Sequence, residues 1–429
     1  MHSVLHDTIG RVAPTTAHSL LHALLGPPGI GFRRFWLAGA ISVFGTWMAA
    51  IALAIRMYDE TGSPGWVAAL LFAEFVPTIV IGIALGGWLN RLPVRRTMVI
   101  CDLVGAAVFG ILAFVDSPPA VVGLAGVAGI AMAMFRPLAT SAVPLLVPDD
   151  EIERATGAMG SSDNAMTFLG EVAGGIVVGT VGAAIGLGVN AVSFVISALL
   201  LASCATLARP VIAEIASPPT GWHVRRTLSQ VRESPVLRQI AVGWTFATVM
   251  LGGILAITVP LLRGSYGAEP ALVGLLMGLI AVGLVAGSLF AGRRRFGRSA
   301  YPLALAGIGA SAMIAGGSPA VGLAGLGMLL LGVFNGVAII LNRSRAVRAA
   351  DPAERTSLIA FLIALSGIGQ ALGTVLGGLL ATATSPRWAF VVFGLLLLTV
   401  AAPLALMIGP RADWALQPSP WADRDGDEQ

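Results

Sequence analysis

The 429-residue chain contains no lysine, two cysteines and five histidines, and only 11% of its residues are charged. Without lysine it cannot form the G-x-x-x-x-G-K-[ST] phosphate loop, and it has no H-E-x-x-H motif. Cys101 and Cys204 both lie in apolar runs, which argues against a disulfide framework and against a C-x-x-C metal or redox site. These absences predict a protein that is not an enzyme and that uses neither a metal nor a cofactor.

Apolar residues are abundant instead. They make up 56% of the chain, and the mean hydropathy is +0.87. Since a soluble domain is usually about a quarter charged, the composition indicates a membrane protein. The pI near 9.8 would suit nucleic-acid binding, but the arginines are scattered over short loops and do not form one basic face. We therefore expect a lipid bilayer as partner, and no nucleic acid.

Apolar runs of about 20 residues, long enough to cross a bilayer core, occur twelve times. The predicted spans are 35–57, 66–89, 97–115, 120–143, 154–180, 185–207, 237–262, 271–292, 300–316, 320–342, 356–382 and 388–409. An even number places both termini on one side of the membrane. Arg136 then lies deep inside a span, Arg56, Arg263 and Arg387 lie at or just beyond the span ends on the far side, and every other arginine lies on the side of the termini. Because basic loops stay in the cytoplasm, we predict cytoplasmic termini.

The spans fall into two groups of six. A segment rich in proline and arginine separates the groups. The predicted organisation is a cytoplasmic tail at 1–32, a first half at 33–207, a linker at 208–236, a second half at 237–409 and an acidic cytoplasmic tail at 410–429.

Three landmarks recur in both groups. The arginine-rich segment Gly86–Arg96 returns as Gly287–Arg298, which begins 201 positions later. The same offset relates Asp150-x-x-Glu153-Arg154 to Asp351-x-x-Glu354-Arg355. Gly170-x-Val172-x-Gly174-Gly175 returns 203 positions later as Gly373-x-Val375-x-Gly377-Gly378. The order and register of these matches predict a parallel repeat, with a substrate route between the halves.

The loop after the second span reads Gly86-x-x-x-Asn90-Arg91-x-Pro93-x-Arg95-Arg96. It resembles the G-x-x-x-D-R-x-G-R-R-R loop of the major facilitator superfamily, in particular the branch of drug and siderophore exporters that includes enterobactin and macrolide efflux proteins. Over about residues 33–409 the resemblance implies an all-α membrane fold of twelve transmembrane helices in two six-helix halves. It also implies secondary transport by alternating access, and a bacterial inner membrane.

The resemblance further implies that the arginine-rich loops form a gate. Its candidate residues are Asn90, Arg91, Arg95 and Arg96 in the first copy and Arg293 and Arg294 in the second. The family has an aspartate where this chain has Asn90, and that aspartate joins a charge network that helps hold the outward-open state. Since Asn90 is neutral, we expect Asp102, early in the third span, to supply the anion by pairing with one of the loop arginines.

Ionisable groups inside spans are functional candidates, because a charge is costly in hydrocarbon. Glu74, about halfway along span 2, is the leading candidate for carrying a proton; its alternative is a structural ion pair with Arg136. Asp163 and Glu171 lie on one face of span 5, where the family often has G-P-x-x-G-G and this chain has a glutamate in place of the proline. Either acid is a candidate to bind a proton or a cationic substrate, although Asp163 could be an interfacial cap. Arg136 is expected to neutralise one of these acids.

The second half has only neutral groups well inside its spans, including the candidate substrate contacts Asn335 and Gln370. The sequence thus predicts a monomeric, proton-driven antiporter that exports a small amphipathic or cationic organic compound, such as a drug, siderophore or secondary metabolite. Two alternatives stay open. One is a nutrient importer or facilitator on the same fold, and the other is a receptor or scaffold that has lost transport.

Overall fold

A computed structural model describes residues 29–84, 92–208, 224–294, 296–297, 299–350 and 355–406, which form helices and short turns without any β-strand. The helices are α1 (Ile30–Thr61), α2 (Pro64–Ala84), α3 (Val94–Leu112), α4 (Pro118–Leu146), α5 (Ile152–Val181), α6 (Ala183–Ala202), α7 (Val224–Glu233), α8 (Pro235–Pro260), α9 (Pro270–Arg293), α10 (Ala300–Gly317), α11 (Val321–Ala349), α12 (Arg355–Ala383) and α13 (Pro386–Leu406).

Within these ranges, eleven helices are long and apolar enough to cross a membrane. The short α7 is not one of them. Neither is α3, because its 19 residues include Arg95, Arg96 and Asp102. Nevertheless α3 packs along α4 and α6 inside the bundle, as a membrane span would. The all-α fold of two six-helix halves is therefore confirmed, with α3 as the third helix of the first half.

Helix packing repeats between the halves. In the first half α1 packs on α5 and α6, α2 packs on α4, and α3 packs on α4 and α6. In the second half α8 packs on α12 and α13, α9 packs on α11, and α10 packs on α11 and α13. Each contact of the first set has its counterpart six spans later in the second. This is the arrangement that a parallel repeat predicts.

Most helices begin and end within a few residues of the predicted spans, and the largest differences concern three of them. Helix α1 extends from Ile30 to Thr61, where Gly62 ends it with a positive φ of 62° and an N–H that bonds to the Tyr58 carbonyl. Helix α6 ends at Ala202, before a 3₁₀ turn. Helix α11 continues seven residues beyond 342, because its arginines interrupt the apolar run without interrupting the helix.

The two halves pack more closely at one end of the bundle than at the other. We call the end where α1 begins the Ile30 side and the end where it finishes the Thr61 side. Toward the Thr61 side, α5 crosses α9 so closely that a β-carbon on Gly175 or Gly274 would lie within 3.0 Å of the other's backbone. Toward the Ile30 side, the same two helices border an open cavity of about 650 Å³, which Ser161 and Ser288 help to line. The bundle is thus packed on the Thr61 side and parted between α5 and α9 on the Ile30 side.

Candidate functional site

A cavity of about 130 Å³ lies between the two halves, and we call it the central cavity. Its walls are largely apolar and come from α1, α2 and α4 of the first half and from α8 and α9 of the second. The second half contributes Leu255, Val259 and Met277. Two charged residues line it, Glu74 from α2 and Arg136 from α4. Apolar walls with a few convergent polar groups are typical of sites for small organic ligands.

Local packing fixes the position of Glu74. A β-carbon on Gly129 of α4 would lie 3.1 Å from the Glu74 α-carbon, so these two helices touch backbone to backbone. Pro77 lies within α2 one turn further along. The Glu74 side chain is half-buried and enters the central cavity midway across the bundle. Its predicted position about halfway along the second span agrees with its place in α2, while its predicted role as proton carrier stays a prediction.

A second cavity of about 330 Å³ adjoins the first on the Ile30 side. It is lined by residues of α1, α4, α5 and α6, all from the first half, and it shares Thr46, Trp47, Met132 and Arg136 with the central cavity. Asp163 is exposed in its wall. The shared residues join the two cavities into one route from the Ile30 side to the central cavity, with Arg136 at the junction.

Arg136 acts electrostatically on both Glu74 and Asp163. Among the described residues, however, neither carboxyl lies within salt-bridge distance of the guanidinium. The single tight ion pair that the sequence allowed as an alternative is therefore not formed in this conformation. A cation placed between two acids without closing on either one leaves both carboxyls available to a ligand.

Glu171 lies apart from these cavities. Its side chain is 6% exposed at the close crossing of α5 and α9, where its own carbonyl faces Gly274. Its Oε2 atom accepts no hydrogen bond from any described residue. The two acids that were predicted on one face of span 5 therefore have different surroundings. Asp163 faces a cavity, whereas Glu171 is buried where the halves meet.

Asp102 is 1% exposed and faces the interior of the first half, toward α1, α2 and α6. The sequence had placed it at the arginine-rich gate. It lies seven residues from Arg95, which is roughly 10 Å along the helix axis, and no ion pair joins it to Arg95 or Arg96 in the part of the chain that the structure describes. Asn90 and Arg91 are outside the described residues, so the gating prediction for them stays a prediction.

The described gate arginines lie on the Ile30 side. Arg95 is half-buried near Arg34 and Cys204, and Arg96 is exposed. Burial raises the pKa of the Cys204 thiol, and the two nearby cations partly offset that effect. Arg293 and Arg294 are exposed at the end of α9, with the Arg294 guanidinium 5.6 Å from the centre of the Phe290 ring.

Asn335 and Gln370 line none of the cavities described above. Asn335 is half-buried in α11, and its Oδ1 accepts no hydrogen bond from the described residues. Gln370 is half-buried in α12, where its backbone packs against Gly252 of α8. Their predicted substrate contacts therefore have no support from the geometry of this conformation.

Sequence reasoning missed an ion pair that joins the halves on the Thr61 side. Arg263, in the turn after α8, donates from Nε and Nη2 to the two oxygens of Asp59 in α1, at 2.9 and 2.8 Å. Both residues follow apolar runs at the same predicted membrane surface, which is the only signal that could have paired them. Within the first half, Arg56 bonds in addition to Glu60, Asp116 and two backbone carbonyls.

Comparison with known proteins agrees with this architecture. The family model described as Major Facilitator Superfamily matches residues 35–257 and again residues 245–426. The chain belongs to the major facilitator superfamily. It is accordingly a membrane transporter in family and in fold, and the expected resemblance is confirmed.

Individual relatives are distant. Macrolide efflux protein A of Streptococcus pyogenes is 27% identical over 131 residues, an alignment that covers 29% of this chain and 32% of that protein. Among solved structures, the nucleoside transporter NupG has a TM-score of 0.72 at 16% identity, over 88% of this chain and 98% of that one. A bacterial homolog of the human lysosomal transporter Spinster, in an inward-facing and occupied conformation, has a TM-score of 0.71 at 13% identity, over 88% and 95%. At these identities the structural neighbours show the shared fold alone.

Proposed function

We propose that this member of the superfamily is a proton-coupled exporter of small amphipathic or cationic organic compounds in a bacterial inner membrane. The observation that carries the proposal is the central cavity between the halves, which combines apolar walls with one carboxyl and one guanidinium. Apolar walls suit the body of an organic compound, and Glu74 suits a cationic group. The partial similarity to a macrolide efflux protein supports export over import.

Coupling follows from competition for one carboxyl. Glu74 has no salt bridge among the described residues, and an unpaired carboxylate is costly in an apolar cavity. Either a proton or the cationic group of a substrate removes that cost, but both cannot bind the same carboxylate oxygens at once. A transporter that must replace one by the other exchanges a proton for a substrate molecule. Arg136 keeps a positive charge near the site, which favours release of either cation.

The conformation fits one state of such a cycle. With the predicted orientation, the Ile30 side is cytoplasmic, and the route from that side leads to Arg136 and Glu74. The Thr61 side is closed by the crossing of α5 with α9 and by the Asp59–Arg263 ion pair. In this orientation the protein is in its inward-open state and ready to accept substrate from the cytoplasm.

Transport measurements in proteoliposomes test the proposal. The purified full chain is assayed with radiolabelled erythromycin and with tetraphenylphosphonium, with and without an imposed pH gradient. We expect substrate to move against its own gradient only when the pH gradient is present. Glu74→Gln should abolish that response because an amide cannot carry the proton, and Glu171→Gln should weaken it.

Glu153→Gln is the matched control, since Glu153 is exposed at the start of α5 and faces no cavity described here. It should transport as the wild type does. Transport that ignores the pH gradient, or that is unchanged in both Glu74→Gln and Glu171→Gln, would contradict proton coupling through these residues. Accumulation in the opposite direction would instead favour the importer.

A further inference from the structure

Beside the central cavity, the first half contains a smaller cavity of about 30 Å³. We call it the small cavity, and its polar lining consists of Ser42 and Thr46 from α1, Glu74 from α2, and Cys101 and Asp102 from α3. Glu74 and Thr46 also line the central cavity. Glu74 therefore belongs to the wall between the two cavities, and Asp102 lies on the far side of that wall.

Two buried oxygen atoms at the small cavity lack partners. Asp102 Oδ2 and Thr46 Oγ1 form no hydrogen bond with any described residue. Ser197 on α6 lies beside Asp102 and interacts with its carboxyl, but its hydroxyl is outside hydrogen-bonding geometry. Buried polar atoms are nearly always bonded, and a polar cavity of roughly 10–15 Å³ or more can hold a water molecule. The small cavity thus has the volume and the polar partners for one water between Thr46 and Asp102.

No cation faces Asp102 from the described parts of the helices around it. The groups that do face the small cavity are Ser42 and Thr46 on α1, Glu74 on α2, Cys101 on α3 itself, and an apolar surface on α4. On α6 the nearest polar group is the neutral Ser197. A carboxylate buried without a cation is strongly disfavoured, so Asp102 carries a proton in this conformation.

We infer that Asp102 is a second proton-binding residue of the transporter, which exchanges its proton with Glu74 through one water molecule in the small cavity. In this step the Asp102 carboxyl gives its proton to the water while the water gives one of its own protons to the Glu74 carboxylate. The water is unchanged, and the negative charge passes from Glu74 to Asp102.

Asp102 thus holds a proton next to the site where the substrate binds. While a cationic group occupies Glu74, the proton stays on Asp102, out of contact with the substrate. When the cation leaves, the proton moves to Glu74, and the pair accepts another from the central cavity. This inference rests on the proposed role of Glu74 as the carboxyl that binds either a proton or the substrate. It adds Asp102 as the group that holds a proton while the substrate occupies Glu74.

Infrared spectroscopy of the full chain in lipid vesicles tests the inference with D₂O as the probe, without substrate or pH gradient. In the wild type at neutral pH we expect a carbonyl band from protonated carboxyl groups that shifts on transfer to D₂O. Asp102→Asn should remove part of that band. Glu74→Gln and Thr46→Val both retain Asp102. In these variants, the part of the carbonyl band that comes from Asp102 should shift about tenfold more slowly after transfer to D₂O, because the route through the water is broken.

Glu153→Gln, on the protein surface, should leave both the band and its exchange unchanged. An undiminished band in Asp102→Asn would overturn the inference, as would unaltered exchange in both Glu74→Gln and Thr46→Val. If Asp102→Asn fails to fold, the exchange rates of the other two variants still decide the matter. A wild type whose transport ignores the pH gradient would contradict the proposed function while leaving this proton exchange as measured.

Discussion

The two halves of this transporter share one packing scheme and differ in what they bury. Helices α2, α3 and α5 of the first half carry Glu74, Asp102, Asp163 and Glu171, whereas helices α8 to α13 contain no aspartate or glutamate at all. Both halves therefore share the helix packing, but of these helices only those of the first half contain acidic residues. The second half serves as an apolar wall of the central cavity, through Leu255, Val259 and Met277.

The contrast extends to how buried charges are satisfied. In the second half, Arg345 is 1% exposed, yet its Nη2 donates to the Gly297 carbonyl at 2.9 Å and its Nη1 donates to Gln239 Oε1 at 3.3 Å. Gln239 in turn donates to the Leu404 carbonyl at 2.6 Å, and the Tyr301 ring lies 5.6 Å from the guanidinium carbon. In the first half, Oδ2 of Asp102 and Oε2 of Glu171 are buried without a hydrogen-bond partner among the described residues. Hydrogen bonds to a buried charge stabilise the structure around it, whereas buried carboxyl oxygens without a bond are candidates for a functional role.

The largest expected effect concerns the buried arginine of the second half. Arg345→Met keeps most of the side-chain volume but leaves Gln239 and the Gly297 carbonyl without their donor. Hydrogen bonds to charged groups contribute about 1.5–3 kcal/mol each to stability, so we expect a clearly lower unfolding temperature of the detergent-solubilised protein. Arg343→Met, at an exposed position two residues away, should change stability by no more than about 0.5 kcal/mol. Equal loss in both variants would show that Arg345 does not stabilise the second half in this way.

The features of the fold that depend on one physical signal could be predicted from the sequence. Apolar runs and arginine placement predicted nearly every helix, and the paired landmarks predicted the repeat. Sequence reasoning did not foresee that α11 continues past 342, because a run of arginines looks like a loop until one of them, Arg345, is seen to be buried by partners distant in sequence. It placed Asp102 at a gate for a similar reason. Distance along the chain suggested the loop arginines, whereas the direction in which α3 presents this residue places it inside the bundle.

The next effect concerns the crossing where the halves touch. Gly175→Val would place a branched side chain against the backbone of Gly274, where even a β-carbon is too close. Overpacking costs roughly 1–3 kcal/mol, which corresponds to a shift of roughly 5- to 150-fold away from the conformation closed on the Thr61 side. Spin labels on the ends of α5 and α9 at that side should report a greater separation, and transport should fall by a similar factor.

Gly160→Val is the matched control for that crossing. It makes the same change in the same helix, at a position where an added β-carbon meets nothing within 4 Å. The spin-label distances should then equal those of the wild type. Should Gly160→Val separate α5 from α9 as far as Gly175→Val does, the effect would come from the helix itself and not from contact between the halves.

The smallest effect concerns the ion pair between the halves. Asp59→Asn removes the charge that Arg263 contacts through two nitrogen atoms, on a partly exposed surface where such pairs contribute about 0–1 kcal/mol. We expect a shift of at most a few-fold toward the conformation open on the Thr61 side, read from the same spin labels, and a smaller shift in high salt because ions screen exposed charges. Glu60→Gln removes a neighbouring acid that pairs with Arg56 inside the first half, so it should leave the separation of the halves unchanged. A shift of the same size in both variants would mean that acidity at this end of α1, and not the bond across to the second half, controls the closed state.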